Sequence, residues 1–245
     1  MTVCSTGNSY CKTDGTVVFL ASLGEVQDNL HQRCWAILSN NEKSKIEQVK
    51  QDAKRDQKLY SRALLRKLLG RFLKQHPSEV GIHSQSGNKP KLVEDNGIHF
   101  NVSHSKELIF IAISSADVVG VDVERVSNRS LERLVPRLFS NKEKLEFLNE
   151  ADKLDFFYRY WTLKESIIKA VGKGHQLKLN EIDIARIRST GFCYQEYECQ
   201  FWGNNWESRS YCFGDYRWSI SMPHGSMPAV IEIEQNEISN FLGEI

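Results

Sequence analysis

The stretch from Lys153 to Val171 most constrains how this chain can fold, because its pattern predicts a long amphipathic helix. Phe157, Trp161 and Ile168 recur at helical spacing and mark one apolar face. Gly172-Lys173-Gly174 follows directly, and glycine commonly ends helices. This is the strongest helix prediction in the chain.

Charged residues lie on or beside the apolar face of this predicted helix, where a helix with a purely structural role would have apolar residues. Lys164 falls inside the apolar stripe, Glu165 lies on its flank, and Lys169 lies one turn beyond Glu165 on the same side. Charges against a buried stripe cost several kcal/mol unless they are paired. A surface pair of Glu165 and Lys169, worth about 0.3–0.5 kcal/mol, would explain those two residues but not Lys164. The helix is therefore a candidate functional element.

The rest of the chain alternates between helical and strand patterns. Further helices are predicted at Glu25–Gln32, from about Lys45 to Gln75, at Leu131–Phe139 and at Asn141–Asn149. Strands are predicted at Val17–Ser22, Ile98–Val102, Leu108–Ser115, Val118–Glu124, Ile182–Ile187, Gly191–Trp202, Tyr211–Met222 and Ala229–Glu234. Residues 1–15 are predicted to be a loose N-terminal extension, with halves at 16–117 and 118–245.

Composition and charge exclude several classes of protein. The chain has 245 residues and a net charge of +1, so nothing global indicates a nucleic-acid or membrane partner. No segment approaches the roughly 20 apolar residues of a membrane helix, and we see no signal peptide. The six cysteines include no CxxC pair, which favours reduced thiols. We therefore expect a cytoplasmic protein.

Asp122 and Glu124 lie two residues apart in a predicted strand, so their side chains point the same way. Val119, Val121 and Val123 then face the core. Neighbouring carboxylates raise each other's pKa unless something neutralises them. Mg²⁺ suits this role, because it prefers oxygen ligands and often combines one or two carboxylates with substrate phosphates. Solvated strands carry the same short motif, so the doublet alone leaves both interpretations open.

Two further segments offer groups that suit phosphate. Ser103 and His104 lie in a predicted turn whose hydroxyl, imidazole and N–H groups can donate to phosphate oxygens. Alternatively, Asn101 and Ser103 only cap that turn. Lys89 supplies a mobile point charge on a loop stiffened by Pro90.

Lys54, Lys58, Arg62 and Arg66 recur every fourth residue of the helical stretch from about Lys45 to Gln75 and share one face. A solvated helix face would explain this basic stripe. A surface for phosphates or for an acidic partner would explain it equally well.

Four ordered segments resemble the signatures of the 4′-phosphopantetheinyl transferases, in the surfactin-type monomeric branch. They are Asn88–Leu92, Phe100–Ser105, Val119–Glu124 and Trp161–Gly174. The resemblance implies an α+β fold built as a pseudo-twofold pair of similar halves. Each half would pack a small antiparallel sheet on a long helix, with coenzyme A bound in the cleft between them.

The resemblance also implies a reaction and a set of site residues. This family moves 4′-phosphopantetheine from coenzyme A to a serine of an apo acyl or peptidyl carrier protein and releases adenosine 3′,5′-bisphosphate. Asp122, Glu124 and Glu165 are the expected Mg²⁺ ligands, and Glu165, the expected general base, is catalytic together with Lys169. The expected coenzyme A contacts are Lys45, Lys58, Lys89, Pro90, Ser103, His104 and Lys169.

This chain departs from the family pattern near position 57. Many relatives carry an arginine there, whereas this chain has Gln57 with Arg55 and Lys58 beside it, so one of these cations is a candidate substitute. Two rival interpretations remain, a non-catalytic coenzyme A or carrier-binding module and an unrelated nucleotide-dependent transferase. Coenzyme A binding that ignores magnesium would favour the first, and a preference for ATP would favour the second.

Overall fold

In a computed structural model, the strands of this chain form two larger sheets and one two-stranded sheet of Ile82–His83 with Lys91–Leu92, and helices lie between them in the sequence. The structure describes residues 15–23, 28–83, 89–94, 96–173, 177–189, 194–227, 232–238 and 242. The helices are α1 (Asp28–Ala36), α2 (Asn40–Glu47), α3 (Asp52–Leu73), α4 (Val135–Leu138), α5 (Asn141–Asn149) and α6 (Lys153–Val171). The strands are β1 (Thr16–Ser22), β2 (Ile82–His83), β3 (Lys91–Leu92), β4 (His99–Ser105), β5 (Leu108–Ser114), β6 (Gly120–Arg125), β7 (Ala185–Ser189), β8 (Gln195–Phe201), β9 (Asn204–Phe213), β10 (Tyr216–Pro223) and β11 (Glu232–Glu237).

Each half of the molecule combines one sheet with one long helix. The first sheet has the order β11-β1-β5-β4, and α3 covers it through a core that includes Leu64, Leu68 and Ile111. The second sheet has the order β6-β10-β9-β8-β7, and α6 packs against β6 and β10. The predicted α+β class and its two similar halves are confirmed. One pairing differs from a purely antiparallel sheet, because β11 runs parallel to β1.

The two halves are joined by side chains of β4 that accept hydrogen bonds from the backbone of β6. The three bonds are Val121 N to Asn101 Oδ1 at 2.8 Å, Val123 N to Ser103 Oγ at 3.3 Å, and Arg125 N to Ser105 Oγ at 3.1 Å. Alternate residues of a strand point to one side, so one face of β4 supplies all three acceptors. This ladder holds β4 beside β6 and places Ser103 next to Asp122.

Gly120 allows α6 to lie unusually close to β6. A Cβ atom at this position would lie 1.9 Å from the backbone oxygen of Ser166 and 2.6 Å from the nitrogen of Ala170. Only glycine permits such an approach of helix to strand. The close contact brings the α6 side chains over the start of β6.

The sequence predicted α5 and α6 with their observed bounds, but the single helix from about Lys45 to Gln75 is wrong. The chain breaks between α2 and α3, where Gln51 is extended. The break lets Glu42 of α2 turn back and pair with Arg62 and Arg66 of α3, at 3.4 and 2.7 Å. Ser39 caps α2 through the capping box that its S-x-x-E sequence indicates.

Several other predicted elements have different bounds, and residues 25–27, 191–193 and 229–231 of these predictions lie outside the described residues. The helix predicted at Leu131–Phe139 contracts to α4, and the strand predicted at Tyr211–Met222 is two strands, β9 and β10. The turn predicted at residues 103–107 is shorter, because β4 continues to Ser105. The left-handed backbone of Lys106, with φ of 53°, then makes the tight connection to β5.

Residues near both ends of the chain make contacts with the first half of the molecule. Residues 1–14 of the predicted extension lie outside the described residues, and Gly15 exchanges backbone and side-chain hydrogen bonds with Ser115. The boundary between residues 117 and 118 stays a prediction, and the structure adds that the C-terminal β11 joins the first sheet. No helix among the described residues has both the length and the apolar composition that a membrane crossing requires.

Candidate active site

Asp122, with 4% of its surface exposed, is the centre of a polar cluster between the two halves. Its Oδ1 accepts hydrogen bonds from Ser103 Oγ at 2.8 Å and from Lys169 Nζ at 2.7 Å. Its Oδ2 is buried and has no hydrogen-bond partner among the described residues. Buried polar atoms without partners are uncommon because they cost the full desolvation penalty. This oxygen is therefore a position where a cation would be stabilised.

Glu124 and Glu165 add negative charge beside Asp122. Glu124 accepts a hydrogen bond from Ser105 Oγ at 3.1 Å, whereas the Glu165 carboxylate makes no hydrogen bond or ion pair with the described residues. Desolvation, reinforced by the Asp122 charge, raises the pKa of Glu124 to about 7. Desolvation and then Asp122 also raise the pKa of Glu165, while Lys169 opposes this. Lys169 alone does not compensate the three carboxylates.

The donor chemistry of Asp122, Glu124 and Glu165 fits a hard divalent cation, because all three offer carboxylate oxygens. Their ligand atoms are not gathered into one tight set, however. Among the described residues, only Glu198, Glu207 and His224 have ligand atoms that all lie within 4.8 Å of one another. In that group, His224 Nδ1 lies 2.9 Å from Oε1 of Glu207, a residue of β9 in the second sheet. At Asp122, the Lys169 ammonium lies against Oδ1 instead.

Lys169 reaches the cluster from α6 and contacts three acceptors. Its Nζ lies 2.7 Å from Asp122 Oδ1, 2.9 Å from Ser103 Oγ and 3.3 Å from the backbone oxygen of Val121. The ammonium therefore bridges both halves of the molecule. The surface pair with Glu165 that helical spacing allows is not among its bonds.

A pocket of about 310 Å³ opens between α2, α3 and β4 in the first half. Its apolar wall includes Leu65, Phe100 and Val102. Its lining also includes four of the residues that the sequence predicted for coenzyme A, and these are Lys45, Lys58, Pro90 and His104. Arg62 also lines it, and the only sequence signal for Arg62 was the basic stripe. Desolvation, with the positive charges of Lys169 and Lys58, lowers the pKa of His104.

Comparison with known proteins shows which family this chain resembles. Residues 118–221 match the model of the 4′-phosphopantetheinyl transferase superfamily, and residues 27–116 match that of the 4′-phosphopantetheinyl transferase N-terminal domain. The transferase Sfp of Bacillus subtilis is 30% identical over 158 residues, which cover 63% of this chain and 69% of that protein. The chain belongs to the 4′-phosphopantetheinyl transferase family.

Two other family members show the same likeness. The 4′-phosphopantetheinyl transferase HetI of Nostoc sp. is 38% identical over 130 residues, covering 51% of this chain and 54% of that protein. The L-aminoadipate-semialdehyde dehydrogenase-phosphopantetheinyl transferase of Rattus norvegicus is 32% identical over 155 residues, covering 56% and 50%. The chain thus spans between about half and about two thirds of the length of the curated relatives it matches.

Lys164 is the charge on α6 that a surface pair did not explain, and its partners lie outside the Asp122 cluster. Lys164 and Glu143 form an ion pair in which both side chains are 0% exposed. Lys164 also donates to the Leu138 oxygen at 2.8 Å. Glu143 accepts from the backbone nitrogens of Ser140 at 2.8 Å and Ile184 at 3.0 Å. The pair is fully satisfied, and it ties α4, α5 and α6 together.

The basic stripe does not form one solvated face. Arg66 is 2% exposed and donates to Glu42 and to the backbone oxygens of Pro77 and Val80, so it is structural. Lys58 and Arg62 instead face the pocket. The neighbouring position 57 is also explained, because Gln57 donates to the Lys106 oxygen at 2.6 Å and holds the β4–β5 turn.

The pocket distinguishes the two cations beside Gln57. Lys58 lines the pocket, whereas Arg55 pairs with Asp52 at 2.5 Å and lines a separate groove near Trp35. Of the two candidate substitutes for the family arginine, Lys58 is the one positioned for the pocket.

Lys89 lies at the other side of Gly120, where its Nζ donates to the Val119 oxygen at 2.5 Å. Burial, followed by the charges of Lys91 and Lys169, lowers the pKa of Lys89 to about 7. Lys89 and Lys169 thus place two amino groups at the start of β6, one at the Val119 oxygen and one at the Val121 oxygen, and we call this the positive edge. Asn88 and Gly174, at the ends of two of the four motif segments, lie outside the described residues.

Proposed function

We propose that this chain transfers 4′-phosphopantetheine from coenzyme A to a serine of an apo acyl or peptidyl carrier protein. The serine oxygen would form a bond to the phosphorus of the transferred group as the diphosphate P–O bond breaks. Adenosine 3′,5′-bisphosphate leaves with the electron pair of that bond. The observation that carries the proposal is the buried, half-satisfied Asp122 carboxylate at the junction of the halves, within the segment that matches the family.

Asp122, Glu124 and Glu165 would hold Mg²⁺, and the unpartnered Oδ2 of Asp122 supports this assignment. When bound, the metal would neutralise charge on the diphosphate and on the leaving group. Transfer of this kind depends on positioning and charge compensation more than on covalent help from the protein. Lys169 adds a positive charge at the same place, and it can serve the diphosphate directly.

Glu165 is the proposed general base that accepts the serine proton. Its position supports this role, because its carboxylate makes no hydrogen bond or ion pair with the described residues. Its oxygens are therefore available to a hydroxyl or a water.

The pocket in the first half is the proposed site for the nucleotide part of coenzyme A. Lys45 and Lys58 give it positive charge, Arg62 lies beside them in a pair with Glu42, and His104 offers a neutral imidazole. Its apolar wall suits an aromatic base. Lys89, Pro90 and Ser103 connect this pocket to the Asp122 cluster. Lys58 is the proposed substitute for the arginine that many relatives carry near position 57.

The test mixes the protein with coenzyme A, Mg²⁺ and a panel of apo carrier proteins and weighs the carriers by mass spectrometry. We expect the mass of one phosphopantetheine to be added to a carrier, and none when Mg²⁺ is removed by a chelator. A folded protein that binds coenzyme A equally with and without Mg²⁺ and modifies no carrier would instead be a binding module. Tighter binding of ATP than of coenzyme A would indicate a different transferase. The monomeric state and cytoplasmic location stay predictions from the sequence.

A further inference from the structure

The position of the Lys169 ammonium is the observation that leads beyond the proposed reaction. The proposed function assigns Lys169 to the substrate diphosphate, yet its ammonium contacts three groups of the protein itself. Its Nζ lies 2.7 Å from Asp122 Oδ1, 2.9 Å from Ser103 Oγ and 3.3 Å from the Val121 oxygen. The ammonium is therefore the counter-ion of the carboxylate that the proposed function assigns to the metal.

We propose that Lys169 is a resident counter-ion that competes with the divalent metal for Asp122 and moves to the anionic substrate when the metal binds. The inference rests on the proposed function, because it takes the metal and diphosphate assignments from it. It adds that the metal and the substrate bind cooperatively through the displacement of one side chain.

The charges around Asp122 support this competition. A divalent cation at Asp122 would lie within a few ångströms of the ammonium, and like charges that close repel strongly in a partly buried site. Yet the ammonium also offsets the repulsion among Asp122, Glu124 and Glu165, whereas Arg129 and the Ser105 hydrogen bond stabilise the charged form of Glu124 alone. Lys169 thus keeps the three carboxylates together before the metal arrives, and it weakens the binding of the metal that replaces it.

Lys169 also has the freedom that such a displacement needs. Its side chain is 27% exposed, and lysine carries a compact charge on a flexible stem. Two of its three contacts, Ser103 Oγ and the Val121 oxygen, are neutral and can be exchanged for phosphate oxygens at modest cost. Lys164 on the same helix is 0% exposed and has no such freedom.

Displacement couples the two ligands in both directions. If an anionic substrate draws the ammonium away from Asp122, the metal binds more tightly, and by linkage the metal must tighten substrate binding by the same factor. Removal of the ammonium should abolish that part of the coupling while it strengthens metal binding alone.

The experiment titrates Mn²⁺ into the full-length protein by calorimetry, without coenzyme A, and compares wild type with Lys169→Gln. We expect the Kd for Mn²⁺ to fall by about tenfold in the variant, because a nearby positive charge has been removed. Lys173→Gln removes an exposed charge at the end of the same helix, and its Kd should stay within about twofold of wild type. Unchanged or weaker Mn²⁺ binding by folded Lys169→Gln would overturn the proposal.

A second titration measures the coupling. Coenzyme A should lower the Kd for Mn²⁺ by a larger factor in wild type than in Lys169→Gln. Equal factors in the two proteins would contradict a role for Lys169 in the coupling, even if the first titration gave the expected change.

A measurement on wild type alone covers the case in which Lys169→Gln does not fold. With ¹⁵N-labelled lysine, addition of Mg²⁺ should shift the Nζ resonance of Lys169, since its contact with Asp122 is lost. Mg²⁺ binding seen by calorimetry without that shift would refute the displacement. These readouts do not depend on turnover, so a protein that fails to modify any carrier tests the proposed function and not this inference.

Discussion

Two lysine–carboxylate pairs on α6 lie five residues apart in sequence, and they differ in almost every physical respect. Lys164 and Glu143 are both 0% exposed, and every charged atom of the pair has hydrogen-bond partners. Lys169 and Asp122 are 27% and 6% exposed in their side chains, and one oxygen of Asp122 has no partner among the described residues. We call the Lys164–Glu143 pair the closed pair, because its hydrogen bonds are made within the protein. We call the Lys169–Asp122 pair the open pair, because one of its oxygens has no partner among the described residues.

The difference shows how to tell a structural ion pair from a site. A buried pair whose hydrogen bonds are all made has no capacity for a ligand, and removing one partner leaves an uncompensated charge. A pair with an orphaned oxygen and two neighbouring carboxylates is instead short of positive charge. The unusual position of a charge on a helix therefore does not identify a site, whereas an orphaned oxygen beside two further carboxylates supports one.

The largest effect is expected from Asp122→Asn, which tests the open pair. The variant keeps the shape of the side chain but removes the charge, so we expect kcat/KM for carrier modification to fall at least about 10³-fold. Asp215→Asn, at an exposed turn between β9 and β10, is the matched control and should keep wild-type rates. Near-normal turnover in Asp122→Asn would show that the open pair is not part of the active site.

The next effect is expected from Lys164→Met, which tests the closed pair. Glu143 would be left as a buried charge without its partner, so the free energy of unfolding should fall by about 3–5 kcal/mol. Lys169→Met should cost less than half as much, because the Lys169 side chain is 27% exposed and Asp122 would keep its hydrogen bond from Ser103. Urea unfolding of both variants checks this order, and equal losses would show that the two pairs are energetically alike.

A smaller loss is expected from Gly120→Ala, which moves α6 relative to β6. The added Cβ would meet the Ser166 oxygen at 1.9 Å, and overpacking of this kind costs about 1–3 kcal/mol. The shift also carries Lys169 away from Asp122, so turnover should fall too. Gly15→Ala is the control, since nothing lies within 4 Å of its Cβ position. Normal stability and activity in Gly120→Ala would show that the close contact does not position the open pair.

The smallest change concerns the protonation of Lys89, the other end of the positive edge. Its pKa, lowered to about 7 by burial and by neighbouring lysines, leaves the amine charged below pH 7 and increasingly neutral above it. Labelling with acetic anhydride across this range should show a midpoint near pH 7, with the exposed Lys91 as reference amine. Coenzyme A should move the midpoint upward, because a bound phosphate favours the charged form. A midpoint that coenzyme A leaves unchanged would show that Lys89 does not contact the bound phosphates.

Much of the local structure could be predicted from the sequence. Helical period and the following glycine fixed the bounds of α6, and the alternation of valines with Asp122 and Glu124 placed the carboxylates on one face of β6. Both features depend on local geometry, which a helix or strand imposes wherever it lies. The extent of α3 was harder, since its separation from α2 depends on a turn that lets Glu42 reach Arg66, 24 residues away.

The sequence by itself determined which residues share a face, and it marked Lys164, Glu165 and Lys169 as unusual charges on an apolar helix. Only the tertiary structure decided what each charge meets. Glu143 is 21 residues from Lys164, and Asp122 is 47 residues from Lys169. Helical period sets the direction of a side chain but carries no information about distant partners. Those are set by how closely α6 can approach β6 at Gly120, and by which carboxylates the packing of the two halves buries.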